Sequence, residues 1–415
     1  MEKLKQAQGN VVTGDRFWDR EEDIALLIKR IDEGAHVLLV AQRRMGKTSL
    51  MAEVYQRLSE RYVCLFIDLQ KAASGSDAIV ELSLAVQPHK PLWNKTKEVF
   101  ANVIEAITEK VEKVGVGELG LTLRAGLTAG NWAAKGDQLF EILAESEKPV
   151  LLLLDEVPIL INRMLKGEAF TVTAERRKET DEFMSWLRKN SIRHQGKLRI
   201  MISGSIGLEP ILHQARLSAG INNFVPFELK AWDADTAVKC LEALANEYGI
   251  KYEEGVATNM AERLECCIPH HVQMFFSHVH DRCVRKNSMT CSAEDVAQVY
   301  ESDMLGVRGH VELTHYEERL EQVLGPEIMP IALEMLTEAA VVGCLSQEAI
   351  GALQKYYKFT ERSTGDIQKE ILWVLEHDGY LKQEDLGYVF VSKLLQDWWK
   401  SRYRNHYTPI LQREE

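Results

Sequence analysis

Hydrophobic positions in the first part of the chain alternate between helical and strand-like spacing. Ile24, Leu27, Ile28 and Ile31 recur at helical intervals, and the continuous apolar run His36–Val40 that follows is typical of a buried strand. Further strand-like runs lie at Tyr62–Leu69, within Pro149–Ile161, at Leu198–Ser203 and at Asn223–Leu229, with helical segments between them. This alternation predicts an α/β fold, a parallel sheet with helices on both faces.

From Asp233 onward the pattern becomes helical. It predicts helices at Ala234–Tyr248, Glu254–Glu265, from Pro269, and at Ser292–Tyr300 with Ser292 as the N-cap. Later segments predict three more helices, a hairpin and a last helix, at Pro330–Val342, Ser346–Lys358, Gly365–Glu376, Tyr380–Gln383 with Tyr388–Val391, and Lys393–Tyr403. Three helices followed by a hairpin describe a winged-helix module.

These patterns divide the chain into regions 1–232, 233–305 and 306–415. The first contains an insertion at about 71–132, where the alternation is lost, with helical segments at Ala78–Val86 and Val99–Val114. The insertion ends in the glycine-rich stretch Gly115–Trp132, for which we expect a hairpin from Leu119 to Leu127.

Composition narrows the classes of function. The chain has 415 residues, enough for two or three domains, and a net charge of −12, which argues against sequence-independent adhesion to DNA or anionic membranes. Seven cysteines without framework spacing indicate reduced thiols, and no apolar run has the length of a membrane span. We therefore expect a cytoplasmic protein.

The segment Ala41–Leu50, AQRRMGKTSL, follows the strand His36–Val40 and opens a helical pattern. Strand, tight turn and Gly-Lys-Thr at a helix N-terminus predict a phosphate-binding loop, in which Lys47 reaches the outer phosphates and Thr48 ligates magnesium. Ala41 stands where this motif has its first glycine. The predicted nucleotide contacts in the loop are Arg43, Arg44, Met45, Gly46, Lys47, Thr48 and Ser49.

Two acids, Asp155 and Glu156, follow four consecutive leucines within the run PVLLLLDEVPILI of Pro149–Ile161. The carboxyl end of a strand in an open α/β sheet is where ligands bind. Asp155 is predicted to hold the metal and Glu156 to orient and deprotonate the attacking water. The alternative is that these acids cap the next helix, which Pro158 would favour.

A third apolar strand, Leu198–Ser203, ends in Ser203-Gly204-Ser205. We interpret Ser203, rather than Ser205, as a sensor of the terminal phosphate, against the alternative of a simple Ser-Gly turn.

Together AQRRMGKTSL, LLLLDEVP, ISGSIGLEP and VFVSKLLQDWWKSRY resemble the archaeal-type P-loop ATPase family. That family belongs to the signal-transducing ATPases with numerous domains (STAND) and is related to AAA+ and origin-recognition ATPases. The resemblance implies a five-stranded core, with the sensor strand between the loop strand and the acidic strand, then a helical lid and a C-terminal winged helix. It also implies adenine near Phe17 and Arg20, with Pro269 of the lid touching the nucleotide.

The segment Cys266–Cys291 is rich in cysteine and histidine, but its spacing favours packed thiols over a zinc site. The predicted third winged helix, within Arg362–Gly379, carries more acids than bases, so it favours a protein partner over nucleic acid. The tryptophans Trp398 and Trp399 are predicted to belong to the core or to a partner surface.

The sequence therefore predicts a magnesium-dependent, ATP-hydrolysing switch, slow or partner-stimulated, that controls a protein partner or a homo-oligomer. The family context suggests stress or anti-phage defence. Two alternatives remain, a DNA-dependent AAA+-like ATPase or loader and a nucleotide-bound scaffold that does not hydrolyse ATP.

Overall fold

The computed structural model describes residues 4–7, 11–101, 116–357 and 364–413. Contacts group the chain into two compact units. The sheet unit comprises Arg20–Val40 and Leu50–Glu228, and the helical unit comprises Met1–Asp19, Ala41–Ser49 and Leu229–Glu415.

A five-stranded parallel sheet forms the centre of the sheet unit. Its strands are β1 (His36–Val40), β2 (Val63–Asp68), β3 (Val150–Asp155), β4 (Leu198–Ile202) and β5 (Phe224–Glu228). Their order is β2-β3-β4-β1-β5, which confirms the predicted α/β fold and places β4 between the loop strand and the acidic strand. Every residue of β3 is buried, as its apolar run predicts.

Nine helices of the described residues precede, follow or lie between these strands in the sequence. They are α1 (Glu21–Asp32), α2 (Lys47–Leu58), α3 (Gly75–Ala85), α4 (Lys90–Val99), α5 (Val116–Ala125), α6 (Trp132–Ala144), α7 (Val157–Lys166), α8 (Ala174–Arg193) and α9 (Leu208–Gln214). The first residues of α2, up to Ser49, are assigned to the helical unit.

The expected hairpin at Leu119–Leu127 is wrong, because α5 occupies most of this stretch. Leu123 is fully buried, and a Cβ on Gly120 would lie 3.5 Å from the side chain of Leu84 in α3. Packing against a neighbouring helix therefore outweighs the low helix propensity of the glycines. The helix expected at Val99–Val114 falls largely outside the described residues.

The helical unit contains the remaining elements. Its helices are α10 (Ala234–Glu247), α11 (Val256–Leu264), α12 (Pro269–Arg285), α13 (Ala293–Val299), α14 (Val307–Leu313), α15 (His315–Leu324), α16 (Met329–Val342), α17 (Gln347–Tyr356), α18 (Thr364–His377) and α19 (Lys393–Tyr403). Short strands β6 (Lys251–Tyr252) and β7 (Thr290–Cys291) pair in parallel, and β8 (Leu381–Glu384) and β9 (Gly387–Phe390) form the predicted antiparallel hairpin. Ser292 caps α13 as predicted, in a reciprocal capping box with Asp295.

The last helix contributes its tryptophans to the core of the helical unit. Trp398 and Trp399 are fully buried, and their indole nitrogens donate to His310 Nδ1 at 2.8 Å and to Thr337 Oγ1 at 3.2 Å. Both rings are therefore structural. No helix within the described ranges is long and apolar enough to cross a membrane.

Candidate functional site

The phosphate-loop segment closes on itself through Lys47, the first residue of α2. Its buried ammonium group donates to the carbonyl oxygens of Ala41 at 2.6 Å and Gln42 at 2.9 Å. These bonds draw the start of the loop onto the helix N-terminus, where the first backbone amides have no partner within the helix and can bind an anion. The Lys47 ammonium group thus lies against the first two carbonyl oxygens of the loop.

Two residues of the loop have left-handed backbone, Arg44 with φ 67° and Gly46 with φ 89°. A Cβ on Gly46 would meet nothing within 4 Å, so its backbone angle rather than lack of space favours glycine. Ala41 is not among the positive-φ residues, and its carbonyl already binds Lys47. The loop therefore forms without a glycine at its first position.

The rest of the predicted loop contacts lie in the same turn. Met45 is buried, Thr48 is half-buried in the first turn of α2, and the buried Ser49 hydroxyl oxygen accepts the Val12 amide at 3.0 Å. The N-terminal segment is thereby fixed to the start of α2.

Arg43 and Arg44 lie among histidines and tyrosines rather than in open solvent. Burial, Arg319 and Arg44 together lower the pKa of Arg43 to about 10. Burial and the two loop arginines lower the pKa of His315 to about 2, so its imidazole is neutral at physiological pH. Sequence reasoning did not single out His315, because nothing in its local sequence relates it to a loop some 270 residues earlier.

The acidic pair lies where β3 meets α7. Asp155 is buried at the end of the strand, and its Oδ1 accepts the Glu156 amide at 3.1 Å. Glu156 has left-handed backbone with φ 60° and occupies the N-cap position of α7, yet its side chain makes no capping hydrogen bond. Helix capping therefore explains why Glu156 precedes α7, but the Glu156 carboxylate does not form the hydrogen bond that a capping side chain would form.

That carboxylate is held by Ser205. Both the amide and the hydroxyl of Ser205 donate to Glu156 Oε2 at 2.9 Å. The approach of the two segments depends on Gly204, where a Cβ would lie 2.4 Å from Pro158 Cδ. Ser205, which the sequence analysis ranked below Ser203, is the serine that contacts the acid.

Ser203 is buried at the end of β4. Its amide donates to the Leu154 carbonyl at 2.9 Å, while its hydroxyl has no hydrogen-bond partner among the residues that the structure describes. An unpaired buried hydroxyl is uncommon in folded proteins.

The candidate site residues follow three neighbouring strands of the sheet. Strands β1, β4 and β3 are parallel neighbours, so their carboxyl ends lie at the same edge of the sheet. The loop, Ser203-Gly204-Ser205 and Asp155-Glu156 each follow one of these ends in the chain. This edge is where doubly wound α/β proteins bind their ligands.

The three residues expected near adenine occupy separate local settings. Phe17 is half-buried after a short 3-10 turn, and Pro269 is the first residue of α12, as predicted. Arg20 has left-handed backbone, with φ 77°, and its Nη1 donates to Asp23 Oδ2 at 3.2 Å. Their role in nucleotide binding stays a prediction.

The cysteines around α12 are buried or half-buried and free. Burial raises the pKa of Cys267 to about 11 and of Cys291 to about 12, so both thiols are protonated at neutral pH. Within the described ranges, no group of three or more His, Cys, Asp or Glu residues is placed to hold a metal ion.

The chain resembles solved ATPase structures over nearly its whole length. It is 18% identical to the Walker-type ATPase PABY2304 of Pyrococcus abyssi, with a TM-score of 0.57, covering 92% of this chain and 96% of that one. It is 12% identical to the Aeropyrum pernix ORC2 protein, determined as ADPNP–ADP complexes, with a TM-score of 0.51 and coverage of 94% and 98%. No protein-family model matches the sequence, and no curated protein matches it significantly. The likenesses establish the fold, that of P-loop ATPases.

Proposed function

We propose that this protein binds ATP with magnesium and hydrolyses it slowly, using the nucleotide to change its conformation. The observation that carries the proposal is the closed loop after β1, with the Lys47 ammonium group held by the Ala41 and Gln42 carbonyls at the start of α2. A cation at a helix N-terminus beside a glycine turn suits a polyphosphate. The ADPNP–ADP complexes of the Aeropyrum relative support an adenine nucleotide.

Each predicted site residue receives a role. Lys47 binds the outer phosphates, Glu156 orients and deprotonates the attacking water, and Ser203 senses the terminal phosphate. The remaining nucleotide contacts are Phe17, Arg20, Arg43, Arg44, Met45, Gly46, Thr48, Ser49 and Pro269.

The oxygen donors of Thr48 and Asp155 suit magnesium, which prefers hydroxyl, carboxylate and phosphate oxygens. Asp155 is buried at a strand end, and Thr48 lies in the first turn of α2. When bound there, Mg²⁺ would neutralise charge on the phosphates.

We further propose three regions: a core at 1–232 with an insertion at about 71–132, a helical lid at 233–305 and a winged helix at 306–415. The helices α10–α13 and the three-helix-plus-hairpin order α16, α17, α18, β8, β9 support this division. Nucleotide-driven movement of lid and winged helix, as in the STAND class, would then expose a surface for a protein partner or a second copy in the cytoplasm. A role in stress or anti-phage defence remains part of the proposal.

A protein partner is favoured over DNA by the charges of α19. Lys393 pairs with Asp397 at 3.0 Å and Arg402 pairs with Glu317 at 3.3 Å, so two of its basic groups are neutralised locally. Phosphate contacts require such groups to be available. A DNA-dependent ATPase would instead show turnover stimulated by DNA.

The test measures ATP binding by calorimetry and then measures phosphate release from ATP with the same protein preparations. Lys47→Ala should abolish binding, whereas Lys251→Ala, at an exposed lysine, should not. Glu156→Gln should keep binding and abolish turnover, whereas Glu254→Gln, at an exposed glutamate, should leave both unchanged.

Turnover that survives in Glu156→Gln would refute the assignment of the base. ATP that binds without turnover in the wild type would favour the non-hydrolysing scaffold. Absence of ATP binding in the wild type would contradict the proposal itself.

A further inference from the structure

One residue outside the predicted site holds both arginines of the phosphate loop. His315, the first residue of α15, accepts Arg44 Nε at its imidazole Nε2, 3.3 Å away, and accepts Arg43 Nη1 at its backbone carbonyl, 3.5 Å away. All three residues belong to the helical unit. The middle of the loop is therefore anchored on a helix far away in the sequence.

The anchored position is the one where the loop backbone is strained. Arg44 has φ 67°, a left-handed conformation that non-glycine residues seldom adopt. Such a conformation persists only where the surrounding structure holds it. The bond from Arg44 to His315 is a contact of that kind.

Tyr316, the residue after His315 in α15, makes two contacts with other elements of the helical unit. The hydroxyl of Tyr316 lies 3.4 Å from His271 Nε2 in α12, and the Tyr380 hydroxyl donates to the Tyr316 carbonyl at 2.7 Å. Tyr316 and Tyr380 are buried. The loop itself also lies against the turn before β8, where a Cβ on Gly379 would overlap the Gln42 side chain.

The bond requires a neutral imidazole with Nε2 unprotonated, because Arg Nε can only donate. Burial and the neighbouring arginines keep His315 in that neutral form. The Arg44 guanidinium remains the charged donor, which makes the bond stronger than one between neutral groups.

We propose that His315 is a positioning residue for the phosphate loop: by accepting Arg44, it holds the loop in the shape that binds the nucleotide phosphates. This inference rests on the proposed nucleotide binding. If His315 positions the loop, the affinity for ATP depends on α15. Because Tyr316 contacts α12 and Tyr380, the affinity then also depends on α12 and on the residues that precede the β8–β9 hairpin.

The test compares four substitutions with wild type by ATP titration. His315→Ala should weaken ATP binding about tenfold, because a loop without its anchor must be reordered by the ligand. His315→Gln, which retains an acceptor oxygen, should bind within about twofold of wild type. Arg44→Gly should bind more tightly than Arg44→Ala, since glycine adopts a positive φ without strain.

A purely structural role would not produce this order. His406→Ala, at an exposed histidine of the same unit, is the matched control and should bind as wild type. Equal affinities of His315→Ala and wild type, or equal losses in His315→Ala and His315→Gln, would overturn the inference. So would equal affinities of Arg44→Gly and Arg44→Ala.

Hydrogen exchange of residues 42–46 in nucleotide-free protein separates this inference from the proposed function. Faster exchange in His315→Ala, restored in His315→Gln, supports the anchor even if the wild type binds no ATP. Unchanged exchange in His315→Ala overturns it even if the wild type does bind ATP.

Discussion

Gly136 lies in α6, where a side chain would collide with the core of the sheet unit. A Cβ there would lie 2.5 Å from Trp186 Cζ2 and 2.7 Å from Ile79 Cδ1. Trp186 is buried and packs edge-on against Phe140, with ring centroids 5.3 Å apart. The Trp186 indole also donates to Asp137 Oδ1 at 2.9 Å, so the ring has little freedom to move away.

Gly136→Ala should therefore destabilise the protein although alanine is the better helix former. Helix propensity alone favours alanine by about 1 kcal/mol. Overpacking costs about 1–3 kcal/mol, and a displaced indole loses a hydrogen bond of about 1 kcal/mol. We expect a net loss of about 2 kcal/mol, or a fall in Tm of about 4–8 °C for the transition that includes the sheet unit.

The assay is urea unfolding followed by tryptophan fluorescence, with thermal unfolding alongside. Gly351→Ala is the matched control, because Gly351 also lies within a helix, α17, but a Cβ there would meet nothing within 4 Å. That substitution should stabilise the protein, by up to about 1 kcal/mol. The two Gly→Ala changes should thus act with opposite signs.

A Gly136→Ala protein as stable as wild type would refute the reasoning. It would mean that the indole moves aside at no cost and that the packing around Trp186 is loose. Destabilisation by both substitutions would equally show that something other than the space around each Cβ decides the outcome.

Three further predictions concern charge and the candidate site. Asp295→Ala should lower the free energy of unfolding by about 2 kcal/mol at pH 7 through loss of the capping box and the pairs with Arg282 and Lys286. Burial raises the pKa of Asp295, but hydrogen bonds from Lys286 and Arg282 outweigh burial and hold the pKa below 3.8. The stability that Asp295 contributes is therefore present above pH 3.8, and urea unfolding at lower pH should show it being lost. Ser205→Ala should lower kcat about tenfold with KM unchanged in a steady-state ATPase assay, because one of two donors to Glu156 is lost; an unchanged kcat would contradict a positioning role for the hydroxyl. Duplex DNA should show no retardation in gel shifts at low micromolar protein, and salt-sensitive retardation would restore the nucleic-acid alternative.

The sequence by itself determined the fold class and the positions of the candidate site residues along the chain. Mostly apolar runs identify β1, β3 and β4, because strands buried on both faces carry few polar side chains. Gly-Lys-Thr after one run and Asp-Glu after another indicate the candidate phosphate loop and the candidate acids, since each motif spans only a few residues. The capped helix at Ser292 and the β8–β9 hairpin follow from equally local signals.

Only the tertiary structure decided the contacts between distant segments. It made Val116–Ala125 a helix where glycines predicted a hairpin, because burial of Leu123 outweighs propensity. It placed Ser205 on Glu156, a contact that the sequence did not predict. It brought His315 to Arg44 across some 270 residues of chain. The pattern of apolar residues in a sequence predicts which face of a helix or strand is buried. Which distant side chain contacts that face is determined only by the tertiary packing.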